Sequence, residues 1–109
     1  MHYRHMEKGS HAQLSGRTLT FTFNQFTARV SLRAGGTLSV EIVDGENKGF
    51  TDEASYETQA VRDDIVVLSW QENIGTTVTH VIDLVAGRTY ATVAPASGGF
   101  LRLEGTVHS

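Results

Sequence analysis

The 109-residue chain contains no cysteine and a single proline, Pro95. Without thiols there is no disulfide to staple the fold and no thiol chemistry to carry a reaction. Also missing is any apolar stretch near the ~18 residues needed to span a bilayer, and no signal-peptide core stands near the N-terminus. There is no basic excess either: nine Lys and Arg against twelve Asp and Glu leave a formal charge of −3. The basic residues are dispersed and do not line an aromatic strand surface, so neither nucleic acid nor an anionic membrane is an expected partner. A cytoplasmic location is the expectation.

The familiar catalytic signatures are absent as well. No glycine-rich phosphate loop opens a helix, and neither a nucleophile elbow nor an HExxH motif occurs. With no cysteine and only His80 placed firmly within the fold, the sequence predicts no metal site and no cofactor.

What is present is one domain's worth of alternating strand pattern, from residue 15 to 109. The preceding segment, "MHYRHMEKGSHAQL" (1–14), holds three of the five histidines. It reads as a flexible arm or a tag remnant and takes no part in the site. In "RTLTFTFNQFTARVSL" Leu19, Phe21 and Phe23 alternate with threonines. After a turn at Asn24-Gln25, Phe26, Ala28, Val30 and Leu32 alternate with polar residues. Turns at "AGG", "DD", "NIG", "VAG" and "SGG" divide the chain into about eight strands: 17–23, 26–33, 37–43, 55–62, 65–72, 76–84, 88–94 and 100–107. Such spacing predicts an all-β, up-and-down antiparallel barrel with room for side chains or one small ligand. A half-open sheet or a two-sheet sandwich is the alternative. The segment 43–55 reads as the one long loop, from which Phe50 could fold over a barrel mouth.

Pairing registers sort the residues by face. A three-residue turn at "NIG" sets Glu72 opposite Thr76, Trp70 opposite Val78, Leu68 opposite His80 and Val66 opposite Ile82. A three-residue turn at "VAG" adds Leu84 with Arg88, Ile82 with Tyr90 and His80 with Thr92. The shared face is mostly apolar and is expected inside. It gathers Trp70, His80, Tyr90 and Thr92 around one void. Glu72 stands at the rim, roughly 13 Å along the strand from His80's level at ~3.3 Å per residue. A three-residue turn at "RDD" would bring Tyr56 inward opposite Trp70, whereas a two-residue turn would bring Glu57 inward instead. Phe21 joins the same interior. His80 reads either as a satisfied core histidine or as a proton donor or acceptor in a cavity, and the aromatics as packing or as ligand wall. On the outer face Ile65, Val67 and Val81 form a small apolar patch that could seat a homodimer.

The run "VRDDIVVLSWQENIGTTVTHVIDLVAGRTYATV", with "LSGRTLTFTF" before it and "FLRLEGTV" after, resembles the barrel domain of the molybdenum cofactor biosynthesis protein F-like group, among the calycin or lipocalin-like folds. The resemblance spans about residues 14 to 107 and implies an up-and-down barrel with an interior cavity. Trp70 and Glu72 match that domain's Trp-x-Glu strand end, and His80 and Asp83 fall in its following strand. No catalytic residue comes with the resemblance, and nothing in the chain resembles a pterin or molybdenum site.

The expected function is binding of a small hydrophobic or aromatic molecule, with Trp70, Glu72, His80, Tyr90, Thr92, Tyr56 and Phe21 as contacts. The alternatives are a cofactor-free isomerase, cyclase or decarboxylase using His80 as acid or base with Tyr90 or Tyr56 as donor, and a structural domain with a filled core.

Overall fold

The structure is a computed structural model, which describes residues 14–109. Eight strands follow in order: β1 (Thr18–Thr22), β2 (Phe26–Leu32), β3 (Thr37–Gly45), β4 (Thr51–Arg62), β5 (Ile65–Gln71), β6 (Thr77–Asp83), β7 (Arg88–Ala94) and β8 (Leu101–His108). Each pairs antiparallel with the next, and β8 returns to β1 to close the barrel. The alternation accounts for this. Leu19 and Phe21 of β1 and Val66, Leu68 and Trp70 of β5 are buried, while their neighbours face outward or are only partly covered. Closure is narrow, resting on three register pairs between β1 and β8: Thr20 with His108, Phe21 with Val107 and Thr22 with Thr106.

Three details of the chain path differ from the sequence expectation. First, residues 43–55 are not a long loop. Ile42 N–H donates to the Phe50 carbonyl at 2.9 Å, and Glu41 pairs with Thr51, so β4 starts at Thr51. Within the span that read as loop, only 46–50 form a turn; Thr51, Glu53 and Ser55 are the exposed face of β4, and Ile42 to Gly45 continue along β2 with a bulge. Second, Leu14 belongs to the core, not to the arm: it is fully buried, and its turn is tied to β2 by Gly16 N–H to the Leu32 carbonyl at 2.8 Å. The rest of the expected arm lies outside the described residues. Third, "VAG" does not make a three-residue turn. Asp83 pairs with Arg88, so four residues, 84–87, connect β6 to β7. The Asp83 carboxylate accepts from the N–H groups of Val85 and Ala86, at 3.2 and 2.9 Å, which stabilises the longer turn.

That single extra residue turns β7 over. Ile82 pairs with Thr89 and His80 with Ala91, so Thr89 and Ala91 point inward while Tyr90 and Thr92 do not. Tyr90 is 49% exposed. Between β4 and β5 two deviations cancel: the turn is the two-residue Asp63-Asp64, with Arg62 opposite Ile65, but a bulge at Val61 resets the face. Tyr56 therefore lies opposite Trp70 and is buried, and Glu57 is outside.

The interior is filled from one end. Leu14, Leu19, Leu38, Val66 and Ile82 are all buried to within one percent and pack in a single cluster. Among the described residues no helix is long and apolar enough to cross a membrane.

Candidate functional site

Beyond this packed end the barrel opens into a cavity of about 500 Å³, within the range typical of small-molecule sites. Its wall is mostly apolar. Ala28, Val40, Val78 and Ala91 are buried wall residues, and Phe23, Phe26, Phe50 and Trp70 add rings. Small residues at 28 and 91 leave the space that the opposite wall does not fill. Towards solvent the wall includes Ile74 and Leu101, both well exposed, with Gln25, Glu46, Asn47 and Arg102.

His80 is the imidazole of this wall and is 3% exposed. Its ring stacks against Phe21, with centroids 4.1 Å apart, and against Trp70, at 5.5 Å and an interplanar angle of 17°. Phe23 stands further off, at 6.1 Å. Within the barrel wall His80 Nδ1 lies 2.8 Å from Thr89 Oγ1, and Thr89 is fully buried. Burial disfavours the charged ring and pushes its pKa down to about 3. The side chain is accordingly a neutral imidazole at physiological pH, and a weak base.

Glu72 follows Trp70 past the end of β5, where Glu72 N–H donates to the Thr76 carbonyl at 2.7 Å and Gly75, at φ 93°, completes the three-residue turn. The carboxylate also lines the cavity and accepts from Trp70 Nε1–H at 3.4 Å. Burial raises its pKa; the Trp70 hydrogen bond opposes that shift and the nearby charge of Asp52 adds to it. Asp52 itself fixes the turn from β4, accepting from Asn73 N–H at 2.8 Å and from Asn73 Nδ2 at 2.6 Å. Those hydrogen bonds hold its own carboxyl below the usual range.

Of the residues expected at the site, Trp70, Glu72 and His80 share the cavity wall, and Phe21 lies behind the imidazole. Tyr56 is inside the barrel but away from the wall, its hydroxyl donating to the Arg33 carbonyl at 2.9 Å. Burial raises its pKa. Tyr90 and Thr92 leave the site: Tyr90 stands outside, opposite Glu104 on β8, and no hydroxyl from β7 other than Thr89 reaches His80. The sequence reading missed Thr89, Ala91 and Val93, which the four-residue turn delivers, and Phe23 and Phe26 as walls of the same space. Phe50 does reach the cavity, from the short β3–β4 turn. Among the described residues, no group of three or more His, Cys, Asp or Glu side chains could hold a metal ion.

Comparison with known proteins agrees with this architecture. A family model described as MoaF-like matches residues 15–108. Among solved structures, a protein described as a "putative beta-lactamase" from Burkholderia vietnamiensis superposes with a TM-score of 0.83 at 31% identity, over 87% of this chain and 93% of that one. None of the curated proteins is significantly similar to this chain.

Proposed function

The chain belongs to the MoaF-like family, and from that premise and its cavity we propose that it binds a small, largely apolar molecule inside the barrel. The observation that carries this reading is the half-filled interior: about 500 Å³ walled largely by aromatic and aliphatic side chains, with His80 and Glu72 among its polar points. A purely structural barrel would gain stability by filling that space, since unfilled apolar volume forfeits packing.

Catalysis by His80 is the weaker reading. An imidazole whose conjugate acid has a pKa of about 3 is a poor general base near neutrality; of the two expected oxyanion donors, Tyr90 is on the outer wall and Tyr56 is away from the cavity wall, its hydroxyl given to the Arg33 carbonyl. The activity named for the Burkholderia protein would call for an activated nucleophile or a metal. Among the described residues the wall's one hydroxyl is Thr76, beyond the end of β5.

Trp70, the sole tryptophan, lines the cavity and reports on its contents. Titration with N-phenyl-1-naphthylamine should quench Trp70 emission saturably, at one probe per chain. Val93→Phe, which adds bulk to the wall, should weaken that binding at least tenfold while leaving the far-UV circular dichroism intact. Emission unchanged through the titration would overturn the binding proposal.

A homodimer through the Ile65, Val67 and Val81 face belongs to the same proposal. Val67 and Val81 are paired on the outer wall, and Val81 is 38% exposed. Sedimentation velocity should then give about twice the 11.9 kDa chain mass, and Val81→Lys should return it to the monomer. A wild-type chain sedimenting as a monomer at high concentration would remove the dimer from the reading.

A further inference from the structure

The hydrogen bond between His80 and Thr89 fixes more than the ring's position. Thr89 is fully buried, and among the described residues His80 Nδ1 is the partner of its hydroxyl. If Nδ1 carried a proton and donated it to Oγ1, the hydroxyl's own hydrogen would be buried without an acceptor, an arrangement native interiors avoid. The alternative satisfies both groups: Thr89 O–H donates and Nδ1 accepts. The ring proton then sits on Nε2.

Nε2 belongs to a ring that is 3% exposed, lines the cavity, and stacks against Phe21 and Trp70. Aromatic faces offer no conventional acceptor, and no side chain or carbonyl among the described residues accepts from Nε2. The two stacked rings and the Thr89 hydrogen bond hold the ring plane, so the N–H direction is set before anything binds.

We infer that His80 presents Nε2–H to the cavity as a fixed donor, and that the molecule bound there carries a carbonyl oxygen at its buried end on a flat apolar body. The inference rests on the binding reading above. The flat body follows from the walls: the Trp70 ring beside the imidazole and the Phe23, Phe26 and Phe50 rings favour stacked or edge contacts over a bulky aliphatic shape. A hydrocarbon of the same shape would leave the donor buried and unpaired on binding, which is how a polar group in an apolar pocket discriminates.

Benzophenone and diphenylmethane test this, because they differ in a carbonyl in place of a methylene. Long-range ¹⁵N NMR of the unliganded protein should show Nε2 of His80 protonated and Nδ1 not. Benzophenone should bind about 3- to 10-fold more tightly than diphenylmethane, the ratio expected of one net hydrogen bond, and should shift the Nε2 resonance. In Thr89→Val, nearly isosteric but without the hydroxyl, the ring loses what fixes its tautomer, and the preference for the ketone should shrink towards unity. A proton found on Nδ1, or equal affinity for the two probes in the wild type, overturns the inference and leaves the cavity reading standing. If neither probe shifts any resonance of the cavity wall, the binding reading falls, and the inference with it.

Discussion

Gly105→Ala should lower the melting temperature by about 12–24 °C, the equivalent of ~3 kcal/mol in a domain of this size. A Cβ at Gly105 would lie 2.2 Å from the Thr22 carbonyl oxygen and 2.7 Å from Cδ1 of Phe23. The first of these atoms is backbone and cannot swing aside. Gly105 is buried on the inner face of β8, opposite Thr89, immediately before the three pairs that join β8 to β1. Here β1 runs off over β8 into its turn, with Phe23 N–H donating to the Phe26 carbonyl at 2.9 Å, and the missing side chain is what permits the approach. Relief of the clash would have to come from the seam itself, the least extensively paired in the barrel. Phe23 would move with it, so the same variant should also lose its response to the cavity probe. Gly35→Ala is the control: a Cβ there meets nothing within 4 Å, and its effect should stay within ~0.5 kcal/mol. A Gly105→Ala protein melting within 2 °C of the wild type would refute this account of closure.

The requirement at Gly105 is invisible in the sequence, where "LEGTV" reads as a strand with an incidental glycine. Only closure brings Thr22, more than eighty positions earlier, onto that residue. The local pattern carried much of the rest. Alternation in β1, β2, β5 and β6 announced the strands, and "NIG" set a register that put Trp70, Glu72 and His80 on one face. It failed where turn length had to be guessed. "VAG" fits three residues or four, and the choice was made by the Asp83 carboxylate binding two backbone N–H groups. One residue of error exchanged Thr89 and Ala91 for Tyr90 and Thr92. A warning was present: the three-residue register put Arg88 on the inner face opposite Leu84, whereas a guanidinium belongs outside, where Arg88 in fact pairs with Glu104. At 60–65 the two-residue turn and the bulge at Val61 offset each other, so the facing of Tyr56 could not follow from turn length alone.

Acidification should destabilise the fold well before most of its carboxylates are protonated, and His80 should be the cause. Its folded pKa, about 3, lies below the value of 6.5 expected in the unfolded chain. Between those limits the unfolded chain binds the extra proton. The stability tied to a neutral His80 is therefore complete above about pH 6.5 and is lost as pH falls towards 3, at ~1.4 kcal/mol per unit. By pH 5 the loss should reach ~2 kcal/mol, a large share of the 5–15 kcal/mol that holds a typical domain together. Glu72 works in the opposite sense. Burial raises its folded pKa above the ordinary 4.5, so its contribution is lost as pH rises through that raised value and is recovered on acidification, making the decline shallower near its titration. Urea unfolding at pH 7.5, 6 and 5 isolates the histidine when the wild type is compared with His80→Phe. The variant should be less stable at pH 7.5, because the buried Thr89 hydroxyl loses its partner at a cost of ~1–3 kcal/mol. Its stability should nevertheless fall less steeply to pH 5, so that the two curves converge. Parallel curves would mean that the imidazole does not titrate between the folded and unfolded states, and would remove the buried, neutral His80 on which the donor argument depends.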